Sequence, residues 1–215
     1  MKLGYKIFLA IAALALILVV GVCSWLFVYT RDLPEFDHLS QFVPSIQSVV
    51  SDSCLTGPST SIPFDRIGKS LQDALSTAEP ASSMPQRIAI TLMCNRRESP
   101  IQYELDTIRL SWHIRMHFSE QQLFTIYANR AYFGAGMTGV QNASKDLFHK
   151  DSEALSVDEA ALMAGLLRAP AALSPRKHPE QALLRRNKVL EEMVAKGKLS
   201  AADAARLEAS PLVTK

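Results

Sequence analysis

The 215 residues, 48% hydrophobic and 20% charged with a formal net charge of +2, allow one domain and an anchor but no long array of domains. Lys2 and Lys6 precede a long apolar run; without them, 21 of the 23 basic residues stand against 21 acidic ones. A neutral remainder excludes a chain built chiefly to grip nucleic acid, which needs a strong basic excess.

The first element is the uncharged run IFLAIAALALILVVGVCSWLFV, 22 residues over 7–28. As a helix it suffices to cross a hydrocarbon core of about 30 Å. It is too long for the apolar region of a cleaved leader, and Val22 before Cys23 spoils a lipoprotein signal. Lys2 and Lys6 lie before the run, whereas Arg31 beyond it is offset by Asp32. The charge bias therefore puts the N-terminus in the cytoplasm and the rest of the chain outside. The expected organisation is a cytoplasmic tail over 1–6, a transmembrane anchor over 7–28, an extended linker over 29–62, a helical domain over 63–210 and a tail over 211–215.

Pro34 and Pro44 argue against one continuous helix in the linker, and SIQSVVSD (45–52) reads as one short strand. From residue 64, Ile67, Leu71, Ala74, Leu75 and Ala78 recur at helical spacing, and the run 80–85, PASSMP, breaks the pattern. A helix over 86–97 follows, with Ile88, Leu92 and Met93 apolar. The next helix, 101–117, is expected to bury a stripe of Leu105, Ile108, Leu110, Trp112 and Met116. Ser119 with Gln122, and Ser156 with Glu159, have the spacing of capping boxes. Between them Gly134, Gly136 and Gly139 mark a loop that needs positive φ or close backbone approach. A helix over 179–196 with Leu183, Leu190 and Met193 on one face stops at Gly197, and Ser200 with Asp203 caps a last helix over 201–209. Period-two alternation is almost absent, so the domain reads as all-α. Of three cysteines only Cys54 and Cys94 lie beyond the anchor, where they either form a disulfide or remain two buried thiols.

Two long runs are far more specific than any of these signals: LFTIYANRAYFGAGMTGVQNASKDLFHK (123–150) and LSVDEAALMAGLLRAPAALSPRKHPEQALLRRNKVLEEMVAKG (155–197). They resemble, in register at tens of positions, the C-terminal half of glycosyltransferase family 51. That family comprises the peptidoglycan-polymerising domains of class A penicillin-binding proteins and monofunctional transglycosylases. The resemblance covers about 31–210 and is strong from 119 onward. It implies a lysozyme-like helical domain, and it makes Tyr127, Asn129, Tyr132, Phe133, Gly134, Gly136 and Gly139 architectural residues that frame the lobe beside a cleft.

It also implies a chemistry. In the family a glutamate takes the proton from the 4-hydroxyl of lipid II, which attacks the first sugar carbon of the chain's lipid diphosphate. Such a step needs a positioned carboxylate and cations, from side chains or a divalent metal, to hold the departing diphosphate. The family supplies them through motifs of the form EDxxFxxHxG, GxSTITQQxxKN and RKxxE. Here DALSTAEP (73–80) resembles the approach to the first, which assigns the base to Glu79, but Pro80 replaces the aspartate. The competing reading of Glu79 is the solvated end of a helix. RIAITLMCN (87–95) resembles the second motif with Ile90 and Thr91 in place of the glutamines and Cys94 in place of the lysine. The third motif's glutamate falls on Thr107 and its Arg-Lys on Tyr103 and Glu104, or the glutamate falls on Leu110 after a three-residue shift. Glu104, one turn before Thr107, is the candidate substitute.

Arg87, Arg96 and Arg97 could grip a diphosphate, because guanidinium matches phosphate geometry, or could simply form a solvated helix end. His113 and His117 stand one turn apart, as metal ligands often do, but no third ligand is apparent, so no metal is assigned. Arg185, Arg186 and Lys188 look like a cationic patch with a structural or headgroup-facing role. The expected function is membrane-anchored work in peptidoglycan assembly. The leading form is a degenerate relative that binds lipid II, glycan strands or a synthase. The alternatives are a weak glycosyltransferase using Glu79, with a divalent cation expected only in that case, and a helical adaptor outside the cell wall.

Overall fold

A computed structural model describes residues 2–30, 61–93 and 99–212, with side chains in the first helix described from 11 to 25. The chain divides into two compact units, Met1–Glu35 and Phe36–Lys215. In the first unit, helix α1 (Lys2–Thr30) contains the whole apolar run, and its side chains from 11 to 25 are exposed. Among the described residues no helix is long and apolar enough to cross a membrane. The 11–25 stretch alone is shorter than the roughly 20 apolar residues a span requires. The expected strand over 45–52 and the Cys54–Cys94 pairing lie outside the described residues.

Among the described residues the second unit is helical apart from one small hairpin. It contains α2 (Lys69–Ala78), α3 (Met84–Leu92), α4 (Pro100–His117), α5 (Glu120–Arg130), β1 (Tyr132–Gly134), β2 (Met137–Thr138), α6 (Val140–Phe148), α7 (Val157–Leu166), α8 (Pro179–Ala195) and α9 (Ala201–Glu208). The two strands pair antiparallel, Tyr132 opposite Thr138. All of Glu159–Leu166 is buried, so α7 is enclosed on every side, with α8 and α2 packed against it. Gly165 allows the approach to α8: a Cβ there would stand 3.0 Å from Cγ of Arg185. A second packing group is formed by α3 against α4 and α5.

Both expected capping boxes form, Ser119 with Gln122 and Ser156 with Glu159. The glycine loop turns through positive φ at Gly134, Ala135, Gly136 and Gly139. Gly197, at φ +68°, ends α8 as expected.

The face of α4 is a correction. Of the five residues expected to be buried, only Leu110 is; Leu105, Ile108, Trp112 and Met116 are exposed. Residues 110 and 114 point away from 108 and 112 at 100° per residue, so one buried stripe could not hold them all. The core side of α4 is Asp106, Thr107, Leu110 and Ile114. In α8 the buried face is Ala182, Arg186, Val189, Leu190 and Met193, and Leu183 is only half-buried.

Candidate active site

Glu79 is positioned by the end of α2, and that end is fixed by several bonds. Its backbone N–H donates to Leu75 O at 2.8 Å, closing the last turn. Two lysines from beyond α8 satisfy the carbonyl end of the helix. Lys196 Nζ donates to Thr77 O at 2.8 Å, and Lys198 Nζ donates to Asp73 O at 3.2 Å and to Ser76 Oγ at 2.7 Å. Cations at a helix C-terminus also complement its dipole. Burial pushes the Lys198 ammonium below its ordinary range, with Asp73 acting in the opposite direction. Pro80 then prevents the helix from continuing as it stands, and a turn over 81–83 leads straight into α3.

The solvated-end reading of Glu79 does not hold. The residue is 8% exposed, and its Oε2 lies 3.3 Å from Nε of Arg87, one turn into α3. The short turn between α2 and α3 is what brings the two side chains together. Tyr127, from α5, is in the same electrostatic neighbourhood. Burial pushes its phenol well above the ordinary tyrosine range, the Glu79 charge adds to that, and Arg87 acts against it. The Tyr127 hydroxyl is therefore a protonated donor at any physiological pH. A carboxylate held by a guanidinium in this way is an ion pair first.

Of the expected diphosphate grip, Arg87 is thus committed to Glu79, and Arg96 and Arg97 lie outside the described residues. Neither of the two cavities described involves Glu79. One of about 360 Å³ is lined by Arg168, Leu173 and the Leu184–Lys188 side of α8. The other, of about 120 Å³, lies between the glycine loop and residues 170–177.

The positions of the second and third motifs have acquired structural work. Thr91, at a glutamine position, accepts from Nε of the buried Arg130 at 3.0 Å and donates to Ile88 O at 2.7 Å. Ile90 is exposed. Thr107 is buried and its hydroxyl bonds back to Tyr103 O at 2.8 Å. Glu104 faces solvent, so it does not replace the missing glutamate on the Thr107 side. Sequence reading missed Asp106, which is buried and paired with Arg109 at 2.5 Å, and also missed Arg130. No sequence signal set them apart, because both helices carry other polar and charged residues.

Tyr127, Asn129 and Phe133 are buried. Asn129 is fully buried: its amide accepts from Ile62 N at 2.9 Å and donates to Ile62 O at 2.8 Å, a side-chain copy of a strand pairing. Phe133 is buried, whereas Tyr132 is half exposed with its hydroxyl 3.4 Å from Gly136 N. Of the two roles expected for the cationic patch, Arg186 has the structural one. Arg186 is buried and donates to Glu208 O at 3.2 Å and Ser210 O at 2.9 Å, tying α8 to the end of α9. Arg185 and Lys188 pair with Glu192 and Glu191. His113 and His117 stack at 6.2 Å, with His117 Nδ1 on the His113 carbonyl. Among the described residues no group of three or more metal-ligating side chains gathers, and the single carboxylate at 79, already paired to a guanidinium, does not suit a divalent cation.

Residues 48–194 match the family described as Transglycosylase. Penicillin-binding protein 1A of Aquifex aeolicus (strain VF5) is 38% identical over 116 residues, 54% of this chain and 16% of that protein. Penicillin-binding protein 1A of Rickettsia bellii (strain RML369-C) is 25% identical over 252 residues, covering 97% of this chain and 32% of that protein. The crystal structure of Penicillin-Binding Protein 1A from Haemophilus influenzae superposes with a TM-score of 0.50 at 19% identity, over 74% of this chain and 19% of that one. The chain belongs to the transglycosylase family, glycosyltransferase family 51. It spans between 16% and 32% of the length of these relatives.

Proposed function

We propose that this chain is a membrane-anchored member of the family, in the cytoplasmic membrane with its helical domain outside, that binds lipid II, a glycan strand or a peptidoglycan synthase without polymerising. The observation that carries this reading is the Glu79–Arg87 ion pair at 3.3 Å, with the carboxylate side chain 11% exposed. A general base must be within hydrogen-bond reach of the hydroxyl it deprotonates, and here one of the two carboxylate oxygens already faces a guanidinium. The substitutions at 90, 91, 94 and 107 remove the amides, the lysine and the second carboxylate that the family brings to the same cleft. The length of the match to the Rickettsia relative agrees: 252 aligned positions exceed the chain's 215 residues by 37, so the chain lacks at least that many. The anchor role of α1 is supported by the uncharged run over 7–28 and the lysines before it.

The test is purified full-length chain in detergent with lipid II. No glycan polymer is expected, and lipid II or isolated glycan strands should be retained equally by the native chain and by Glu79→Gln. The rival, a weak glycosyltransferase, draws on the survival of Glu79 beside Tyr127. Polymer made by the native chain and lost in Glu79→Gln would establish it and end the binding-only reading. An N-terminal segment recovered cleaved near Cys23 would end the anchor.

A further inference from the structure

Helix α4 is apolar on two opposite sides. Leu110 and Ile114 are buried against the domain, while Ile101, Leu105, Ile108, Trp112 and Met116 are between 39% and 75% exposed. At 100° per residue these five fall within a sector of about 80° and run for about 22 Å along the helix. Glu104 and Arg115 flank that stripe on the same edge, within about 20° of each other around the axis. Both are exposed, and neither side chain has a hydrogen bond or an ion pair among the described residues. Eleven residues separate them, about 16 Å along the helix, so they cannot pair within one chain.

A two-fold axis perpendicular to α4 satisfies both charges at once. In an antiparallel pair related by such an axis, the same edge of each helix meets itself. With the axis level with the 109–110 peptide, Glu104 of one copy stands at the height of Arg115 of the other, and symmetry forms the reverse pair. The same register sets Trp112 of one copy between Leu105 and Ile108 of the other, and Met116 between Ile101 and Leu105, so the apolar side chains interleave. A parallel pair would instead bring this edge against the opposite one, formed by Gln102, Arg109 and His113. That edge offers Arg115 no carboxylate, and Arg109 is already held by Asp106. A patch complementary to itself under a two-fold axis is what a symmetric dimer requires, and charges at the flanks of a helix pair set its orientation. The stripe and its two charges bury roughly 1,000 Å² between two copies, the low end for a specific interface, so the pairing is reversible and follows concentration.

We propose that the outer face of α4 is a homodimer interface, with two copies packed antiparallel and Glu104 of each on Arg115 of the other. The pairing does not depend on how Glu79 is used. Full-length chain carrying a donor or an acceptor dye at its C-terminus is reconstituted into phosphatidylcholine vesicles, and energy transfer is followed as the protein-to-lipid ratio is varied. The native chain is expected to show transfer that rises with this ratio beyond what randomly distributed acceptors give. Glu104→Arg sets like charges against each other at both flanks, as does Arg115→Glu, and each should weaken the pairing about ten-fold. An equimolar mixture of the two variants, one with each dye, should regain the native transfer, because every reversed charge then meets its opposite. That recovery also shows that both variants are folded. Native-level transfer in both single variants overturns the proposal, and so does a mixture that stays as weak as its parts. Transfer in the native chain no greater than random also overturns it, and quenching of Trp112 by brominated lipid in Trp25→Phe would then make the bilayer the occupant of the face.

Discussion

Arg130 donates through Nε to the Thr91 hydroxyl at 3.0 Å, joining the end of α5 to the last turn of α3 across 39 residues of sequence. The guanidinium is 1% exposed, so its bonds are made where water does not replace them. Thr91→Val keeps the shape and removes the acceptor. It should cost about 1.5–3 kcal/mol, the range for hydrogen bonds to charged groups, read from urea denaturation. A variant within experimental error of the native chain would show that Arg130 is held adequately by its other contacts.

The Glu79–Arg87 pair calls for a double-mutant cycle, since either single change leaves the other charge behind. The Arg87 side chain is 49% exposed, so solvent screens its half of the pair and limits the coupling to about 1 kcal/mol. Arg87→Ala and Glu79→Gln should each destabilise, and the double variant should lose less than their sum. Strict additivity would mean that the pair does not organise the α2–α3 turn, and the argument against a free base at 79 would lose its support.

The back half of the fold was legible because its signals are local. Ser119 with Gln122, Ser156 with Glu159, and the glycines at 134, 136, 139 and 197 act within a few residues of themselves, and each did what its chemistry requires. The outer face of α4 was misread because helical spacing says that apolar residues share a face but not which face meets the core. Leu110 and Ile114 won the core, and Ile108 and Trp112 did not. The site was harder still. Glu79 could be picked out by its surroundings in sequence, but its partner depended on the turn at 80–83, which places Arg87 against it. Buried charges such as Arg130, Asp106 and Arg186 have no periodic signature and depend on partners up to 39 residues away.

The register of α8 separates two leucines six residues apart. Leu190 is fully buried, whereas Leu184 is 63% exposed. Leu190→Ala should therefore cost about 2–5 kcal/mol, the range for emptying a packed core site. Leu184→Ala should stay within about 0.5 kcal/mol, as surface changes do. Equal costs in thermal or urea denaturation would place the helix in the wrong rotation.

His113 gives the domain a pH dependence whose sign is fixed. Burial is the main cause holding its proton affinity below the ordinary value of 6.5, and the neighbouring His117 and Arg109 push in the same direction. In the unfolded chain the imidazole returns to about 6.5. Between that value and the lower folded one the unfolded state binds more protons, and stability rises with pH in that window. Acidifying from pH 7.5 through 6.5 should lower the urea midpoint, with the loss levelling off once His113 is protonated in the folded state as well. The depressed carboxylates act elsewhere. Asp151, held down by Gln141 and Lys145, and Asp203, held down by Ser200, lie below an ordinary 3.8 and lose their contribution only in stronger acid. The fall near neutrality therefore belongs to histidine. His113→Gln should flatten it while leaving the steep acid limb in place, and an unchanged slope between pH 7.5 and 5.5 in that variant would assign the effect to another group.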